Sequence, residues 1–291
     1  MAGIFDRLGK NPRRAKRRPV AGGPQPRHWS QALAENPLTR FVPFSSLLSD
    51  HDVITRGGDF LRVWRLDGVA FECADDYLVT ERHEALCSLL RNLSGGQWAI
   101  WTHRLHRKIQ DALTDPAEEG FAKDLSKAYQ AHLNQRAMMS NELYLTLVYR
   151  PTTSRISRAL QSPQRSKAAI AEAHAEALRV MEERTAFVHR VLRGFGPQLL
   201  GVREQRGRLY SEVAEFLGYL VNGYWRPAPF TAGPLHRILP STRLSFGGDK
   251  LELRNGDLRR CAALVDIKEY ADAVEPGILN ALLYENSEYI E

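Results

Sequence analysis

Asp52-Val-Ile-Thr-Arg-Gly-Gly-Asp-Phe-Leu-Arg-Val-Trp-Arg-Leu-Asp-Gly68 and, after a short helix, Gln97-Trp-Ala-Ile-Trp-Thr-His-Arg-Leu-His-Arg-Lys108 decide the fold. In the first segment two runs rich in Val, Ile, Phe and Trp flank Gly57-Gly58-Asp59. Glycine supplies the positive φ of a tight turn, so a β-hairpin is expected. Thr80 is placed to cap the next helix, where Ala85, Leu86, Leu89, Leu90 and Leu93 form one apolar stripe. Trp98–Leu105 sets Trp98 and Ile100 on one face and Trp101 and Leu105 on the other. That pattern suits a central strand covered on both sides rather than an edge. Hairpin, helix and strand together seed an α+β domain.

Downstream, Asp115-Pro-Ala-Glu118 has the chemistry of a capping box and opens a helix with Phe121, Leu125, Ala128, Tyr129, His132 and Leu133 on one side. His132 reads as a half-buried face residue. Glu142–Tyr149 is a strand ending at Pro151. A long helix is expected from about Pro163 to Arg193. Ile170, Ala173, Ala177, Met181, Val188, Val191 and Phe195 line its packed side, Glu176, Arg179 and Glu183 its outer side, and Gly194 and Gly196-Pro197 end it. Leu199–Val202 is a short strand. Tyr210–Val221 is a helix with Val213, Phe216, Leu217 and Leu220 facing in. Thr242–Phe246 and Leu251–Arg254 form a second hairpin, Cys261–Ile267 a further strand, and Pro276–Tyr284 a helix. The fold class is therefore α+β: a mixed sheet with hairpins, packed by long helices. There is no internal repeat.

Charge is unevenly placed. Residues 1–30 hold Arg7, Lys10, Arg13, Arg14, Lys16, Arg17, Arg18 and Arg27 against Asp6 alone, a balance of +7, while the whole chain is +6. The remainder is thus close to −1, which argues against a body that is itself a nucleic-acid footprint. Pro12–Pro19 and Ala21–Pro26 break structure, so residues 1–40 read as a flexible basic arm and linker and 41–291 as the α+β domain. The arm could lie on an anionic membrane surface. It could bind nucleic acid non-specifically. It could also be a solubilising tail. Arg7, Lys10, Arg13, Arg14, Lys16, Arg17 and Arg18 are the contact candidates.

A search for chemistry returns little. Gly-x-x-x-x-Gly-Lys-Ser/Thr is absent from the sequence, and Gly247-Gly248-Asp249-Lys250 lacks its spacing and hydroxyl, so it reads as a turn. No Gly-x-Ser-x-Gly elbow occurs. His103 and His106 offer two ligands at most, beside Arg104, Arg107 and Lys108, which disfavours a cation. Glu72, Asp75 and Asp76 cluster near a helix start, where the dipole favours carboxylates, and make only a weak cation site. Cys73, Cys87 and Cys261 are far apart and read as small core or half-buried residues in a reducing compartment. No apolar run approaches the length of a membrane span, and no apolar segment follows the basic amino terminus, so a cytoplasmic location is expected. No catalytic, cofactor or metal residue is assigned.

Five segments in order resemble the amino-terminal domain of the type IV secretion and conjugal-transfer ATPases, the CagE/TrbE/VirB family. They are Ile54–Val69, Ile100–Lys108, Asn141–Arg150, Ser211–Gly223, and Ala263–Tyr270 followed by Pro276–Leu283. In that family a RecA-like motor with Walker motifs follows this domain. The resemblance implies a non-catalytic docking part of a larger, inner-membrane-associated ATPase. ATP and magnesium then belong to the motor. Partners would be other secretion-channel subunits and the chain's own motor, in an oligomer when full-length. The location implied is cytoplasmic and peripheral on the inner membrane. A nucleic-acid-binding accessory protein acting through the arm is the alternative.

Overall fold

The computed structural model describes residues 37–69, 74–109, 119–135, 138–151, 167–248, 250–265 and 287–291. Leu38–Glu291 form one compact unit. A seven-stranded sheet carries the order β1 (Phe44–Leu47), β2 (Asp52–Thr55), β3 (Phe60–Leu66), β5 (Met138–Tyr149), β4 (Trp98–Ile109), β12 (Tyr289–Ile290), with β6 (Pro197–Leu199) also on β3. β2 and β6 share one edge of β3 end to end. Each pairing among the described residues is antiparallel, where the pattern had suggested a mixed sheet.

The expected hairpin is β2–β3. Gly58 sits at φ 84°, and its N–H closes the turn on the Thr55 carbonyl at 3.0 Å. Alternation along β3 and β5 then separates two cores. Leu61, Val63, Tyr144 and Val148 face helix α4 (Glu212–Asn222), meeting Val213, Phe216 and Leu217. Phe60, Trp64, Leu145 and Leu147 face helices α1 (Asp76–Asn92) and α3 (Lys167–Val191), meeting Leu89, Leu93, Met181 and Val188. The α+β class holds, as a sheet sandwiched between helices.

β4 departs from expectation in an instructive way. Its faces are divided as expected, Trp98 and Ile100 toward α1 and α3, Trp101 and Leu105 toward α4. It is not central, however: among the described residues only the two-residue β12 lies beyond it. Apolar alternation reports what covers a strand's faces, not what pairs with its edge.

Other boundaries move for local reasons. α1 begins at Asp76, with Asp75 at the N-cap and Thr80 inside the helix. Tyr77 and Val79 in its first turn are exposed, so the buried stripe starts later than the helix does. Of that stripe Leu89 and Leu93 are buried and Leu90 is exposed. Helix α2 (Gly120–Gln135) follows β4. The Asp115–Glu118 capping box lies outside the described residues, as do Pro163–Ser166, Glu72, Cys73, Asp249 and the helix expected over Pro276–Tyr284. In α3, Ala177, Met181 and Val188 are buried as expected while Ile170 and Ala173 are exposed, because the first turns lie outside the packed layer. A one-turn 3-10 segment ends at Gly196, φ 61°.

Ser211 caps α4, its hydroxyl accepting from the Ala214 N–H at 3.2 Å, and Gly223 at φ 73° ends it. Ahead of it the short strand expected at Leu199–Val202 resolves into β6 and a hairpin of β7 (Val202–Gln205) and β8 (Arg208–Ser211), turning at Arg206 and Gly207 with φ 53° and 72°. Beyond the single-turn helix α5 (Leu235–Ile238), β9 (Arg243–Phe246) and β10 (Leu251–Asn255) make the second expected hairpin. The third strand of that sheet, β11 (Leu258–Ala262), lies earlier than the apolar run placed it. Leu264 and Val265 stand outside any strand, exposed. Cys87 is half-buried, whereas Cys261 is exposed rather than packed.

Candidate interaction surfaces

Arg62, on β3, is a buried cation, 3% exposed. Its Nε and Nη2 donate to the two Asp52 carboxylate oxygens at 2.8 and 2.7 Å, and Nη1 donates to Glu182 at 2.6 Å and the Thr185 hydroxyl at 2.8 Å. Burial alone would lower the guanidinium pKa, but the Asp52 and Glu182 carboxylates outweigh it and raise it. This fork pins α3 to the sheet. Beside it opens a shallow cleft of about 440 Å³ lined by Ser49, Asp50, His51, Asp52, Arg62, Leu178 and Glu182. A serine, a histidine and an aspartate share that cleft, yet they do not form a nucleophilic relay. The Ser49 hydroxyl donates to Asp52 at 2.6 Å, and His51 Nδ1 bonds the Leu200 carbonyl at 2.8 Å. Asp52 is already held by Arg62. A relay needs serine on histidine and histidine on aspartate.

His103 and His106 are three residues apart on a strand and so point to opposite faces. His106 bonds Asn141 at 2.8 Å and stacks on Tyr289; His103 meets the edge of Phe216, and burial lowers its pKa. They cannot share one ion, and no metal-binding group of His, Cys, Asp or Glu occurs among the described residues. Below them Arg107 pairs with Glu142 at 2.6 Å and lies over Trp225, while the Tyr144 hydroxyl donates to Glu142 at 2.9 Å. Gly247 N–H bonds the Lys250 carbonyl at 2.8 Å, a hairpin turn rather than a phosphate cradle.

What remains open is apolar. β4 and β5 pair over twelve residues, from Trp98↔Tyr149 to Ile109↔Met138, whereas β3 stops at Leu66↔Leu143. The two strands run on together beyond β3, and α2 lies in the connection between their far ends. α2 presents Phe121, Leu125 and Tyr129, 81%, 57% and 52% exposed, at four-residue spacing. Among its described side chains, Ser126, Gln130 and Leu133 are partly covered. Of the stripe expected on one side, Phe121, Leu125, Ala128 and Tyr129 are turned to solvent and Leu133 is partly covered, and His132, expected half-buried, is exposed. The periodicity was legible; its direction was not, since a moment gives a face but not what meets it. On α1, Val79, Leu86 and Leu90 add a second exposed stripe. Contiguous exposed apolar surface marks an interaction site. The arm residues Arg7, Lys10, Arg13, Arg14, Lys16, Arg17 and Arg18 lie outside the described residues. No helix among the described residues is long and apolar enough to cross a membrane.

Comparison with known proteins gives this surface a context. The family model "Type IV secretion system ATPase VirB4/TrbE, N-terminal domain" matches residues 51–156. A second, "CagE, TrbE, VirB family, component of type IV transporter system", matches residues 198–291. The chain is 40% identical over 266 residues to the type IV secretion system protein PtlC homolog of Bordetella bronchiseptica, covering 89% of this chain and 32% of that protein. It is 35% identical over 276 residues to the type IV secretion system protein virB4 of Brucella abortus, covering 92% and 33%. With virB4 of Bartonella henselae it shares 27% identity over 253 residues, 86% and 32%. The chain spans about a third of the length of these relatives. With the ordered segments and the hairpin-and-helix sheet already described, these matches establish that the chain belongs to the VirB4/TrbE family of type IV secretion system ATPases and corresponds to the amino-terminal part of its members.

Proposed function

We propose that this chain is a docking and assembly module of a type IV secretion ATPase, with no hydrolysis of its own. The observation that carries the reading is α2, whose Phe121, Leu125 and Tyr129 face solvent. A stripe of that spacing fits a groove or a second helix on another subunit. The sequence holds no Walker A motif, so ATP and magnesium belong to a motor elsewhere in the full-length protein. Other secretion-channel subunits are the partners, and conjugal DNA transfer is one role for such a machine. The basic arm would hold the module against the anionic inner face of the membrane.

The test is co-purification from cells that make the remaining secretion subunits. Wild-type chain should retain channel subunits, and a Phe121→Asp, Leu125→Asp variant should lose them while keeping its far-UV circular dichroism. Equal recovery by the two forms would remove α2 as the docking element.

A further inference from the structure

Among the described residues, only part of the outer edge of β4 is paired. In an antiparallel ladder the backbone groups of alternate residues point to the same side. On the side away from β5, the Arg104 N–H donates to the Glu291 carbonyl at 2.9 Å, and the Arg104 carbonyl accepts from the Glu291 N–H at 3.0 Å. The Lys108 N–H donates to the Glu288 carboxylate at 3.0 Å, and the Trp98 N–H turns back to the Gly95 carbonyl at 3.1 Å. Ile100 and Thr102 lie between with the same parity, and their backbone groups have no partner on that side among the described residues.

This edge carries none of the usual guards. Exposed edges are protected by lysine, proline, bulges or brevity. Gln97-Trp-Ala-Ile-Trp-Thr-His103 holds no charge, no proline and no glycine. Such a run is a strong pairing template. Both of its faces are packed, Trp98 and Ile100 against one core, Ala99 and Trp101 against the other. It has the build of an interior strand with, among the described residues, one side left unpaired.

β12 shows what fits. It runs antiparallel to β4 with Tyr289 opposite His106 and Ile290 opposite Leu105, which sets Glu291 opposite Arg104. The next positions along that register are His103, Thr102, Trp101 and Ile100.

We propose that the edge from His103 to Trp98 seats the polypeptide that continues β12 past Glu291 in longer members of the family, as an extended antiparallel strand. Paired residues share a face, so this strand is apolar on both sides, one set beside Trp98 and Ile100 and the other beside Ala99 and Trp101. In this register the second residue after Glu291 exchanges hydrogen bonds with Thr102, and the fourth with Ile100. The segment leading onward is then a strand of the sheet rather than a loose tether. The proposal rests on the reading that the chain is part of a longer ATPase.

Hydrogen exchange at single-amide resolution tests it on two forms. One is the 291-residue chain; the other carries at its carboxyl end the ten or so residues that follow the aligned region in the Bordetella bronchiseptica PtlC homolog. In the first, the Ile100 and Thr102 amides should exchange about 100-fold faster than those of Ala99 and Trp101, which bond β5. In the second, Ile100 and Thr102 should slow to their neighbours' rate. A proline placed in the added segment opposite Thr102 should reverse that protection. Three results would overturn the proposal: protection already present in the shorter chain, no change on extension, or protection that rises with protein concentration, which assigns the edge to a second copy. The co-purification result depends on α2 and not on this edge, so either reading can fail without the other.

Discussion

Arg62→Ala should be among the most damaging single substitutions in this domain. The Arg62 and Asp52 side chains are 4% and 1% exposed. Removing the guanidinium leaves the buried Asp52 carboxylate with the Ser49 hydroxyl as its side-chain partner and no counter-charge beside it. Truncating one partner of a buried pair costs about 3–5 kcal/mol. Glu182, 72% exposed on the same guanidinium, is different. Solvent screens it, and Glu182→Gln should cost under about 1 kcal/mol. Replacing the pair together, Arg62→Met with Asp52→Leu, should recover much of the loss, since an apolar pair of similar volume is often neutral there. Urea unfolding followed by far-UV circular dichroism reads all three. In thermal unfolding, a domain of this size shifts roughly 2–4 °C per kcal/mol, so Arg62→Ala should melt about 6–20 °C lower. A loss below about 1 kcal/mol for Arg62→Ala, or an equal loss for Glu182→Gln, would refute the reasoning.

Gly196→Ala tests the end of α3: φ is 61°, and an added Cβ would come within 2.7 Å of an Asp67 carboxylate oxygen. A loss of about 1–2 kcal/mol is expected from the backbone alone, so Asp67→Ala should rescue only part of it. Full rescue would contradict the backbone argument. His103 is held below its ordinary value of 6.5 by burial, so on acidification the unfolded chain takes up its proton first. Its contribution to stability is therefore present above that value and is lost as pH falls below it. Urea midpoints should drop from about pH 7.5 to pH 5.5, and less so in His103→Gln; an unchanged pH slope in the variant would count against this. Deleting residues 1–30 should release the chain from anionic liposomes in a flotation assay, and equal partitioning of both forms would count against a membrane role for the arm. The nucleic-acid alternative instead expects low-salt DNA binding that disappears with residues 1–30, and a full chain that binds no DNA retires it.

Much of the fold was legible because the relevant signals are local. Gly57-Gly58 needs no distant partner to turn a chain. The β7–β8 hairpin was missed because Val202–Gln205 and Arg208–Ser211 lie largely exposed, so neither alternates clearly between apolar and polar. β11 was displaced because Ala263-Leu-Val265 looks like a strand and Leu258-Arg-Arg-Cys261 does not, yet the turn at Asn255-Gly256 sets the pairing. The Arg62 fork was invisible for another reason. Asp52, Arg62, Glu182 and Thr185 are brought together only by tertiary packing. The exposed stripe of α2 was visible as a periodicity, but its outward direction follows from the path of β4 and β5, which no local pattern encodes.

Steady-state ATP hydrolysis by the purified 291-residue chain with magnesium bears most directly on whether this is a scaffold without an engine. Turnover should not rise above the protein-free background at any protein concentration. Hydrolysis proportional to protein and persisting through further purification would contradict it.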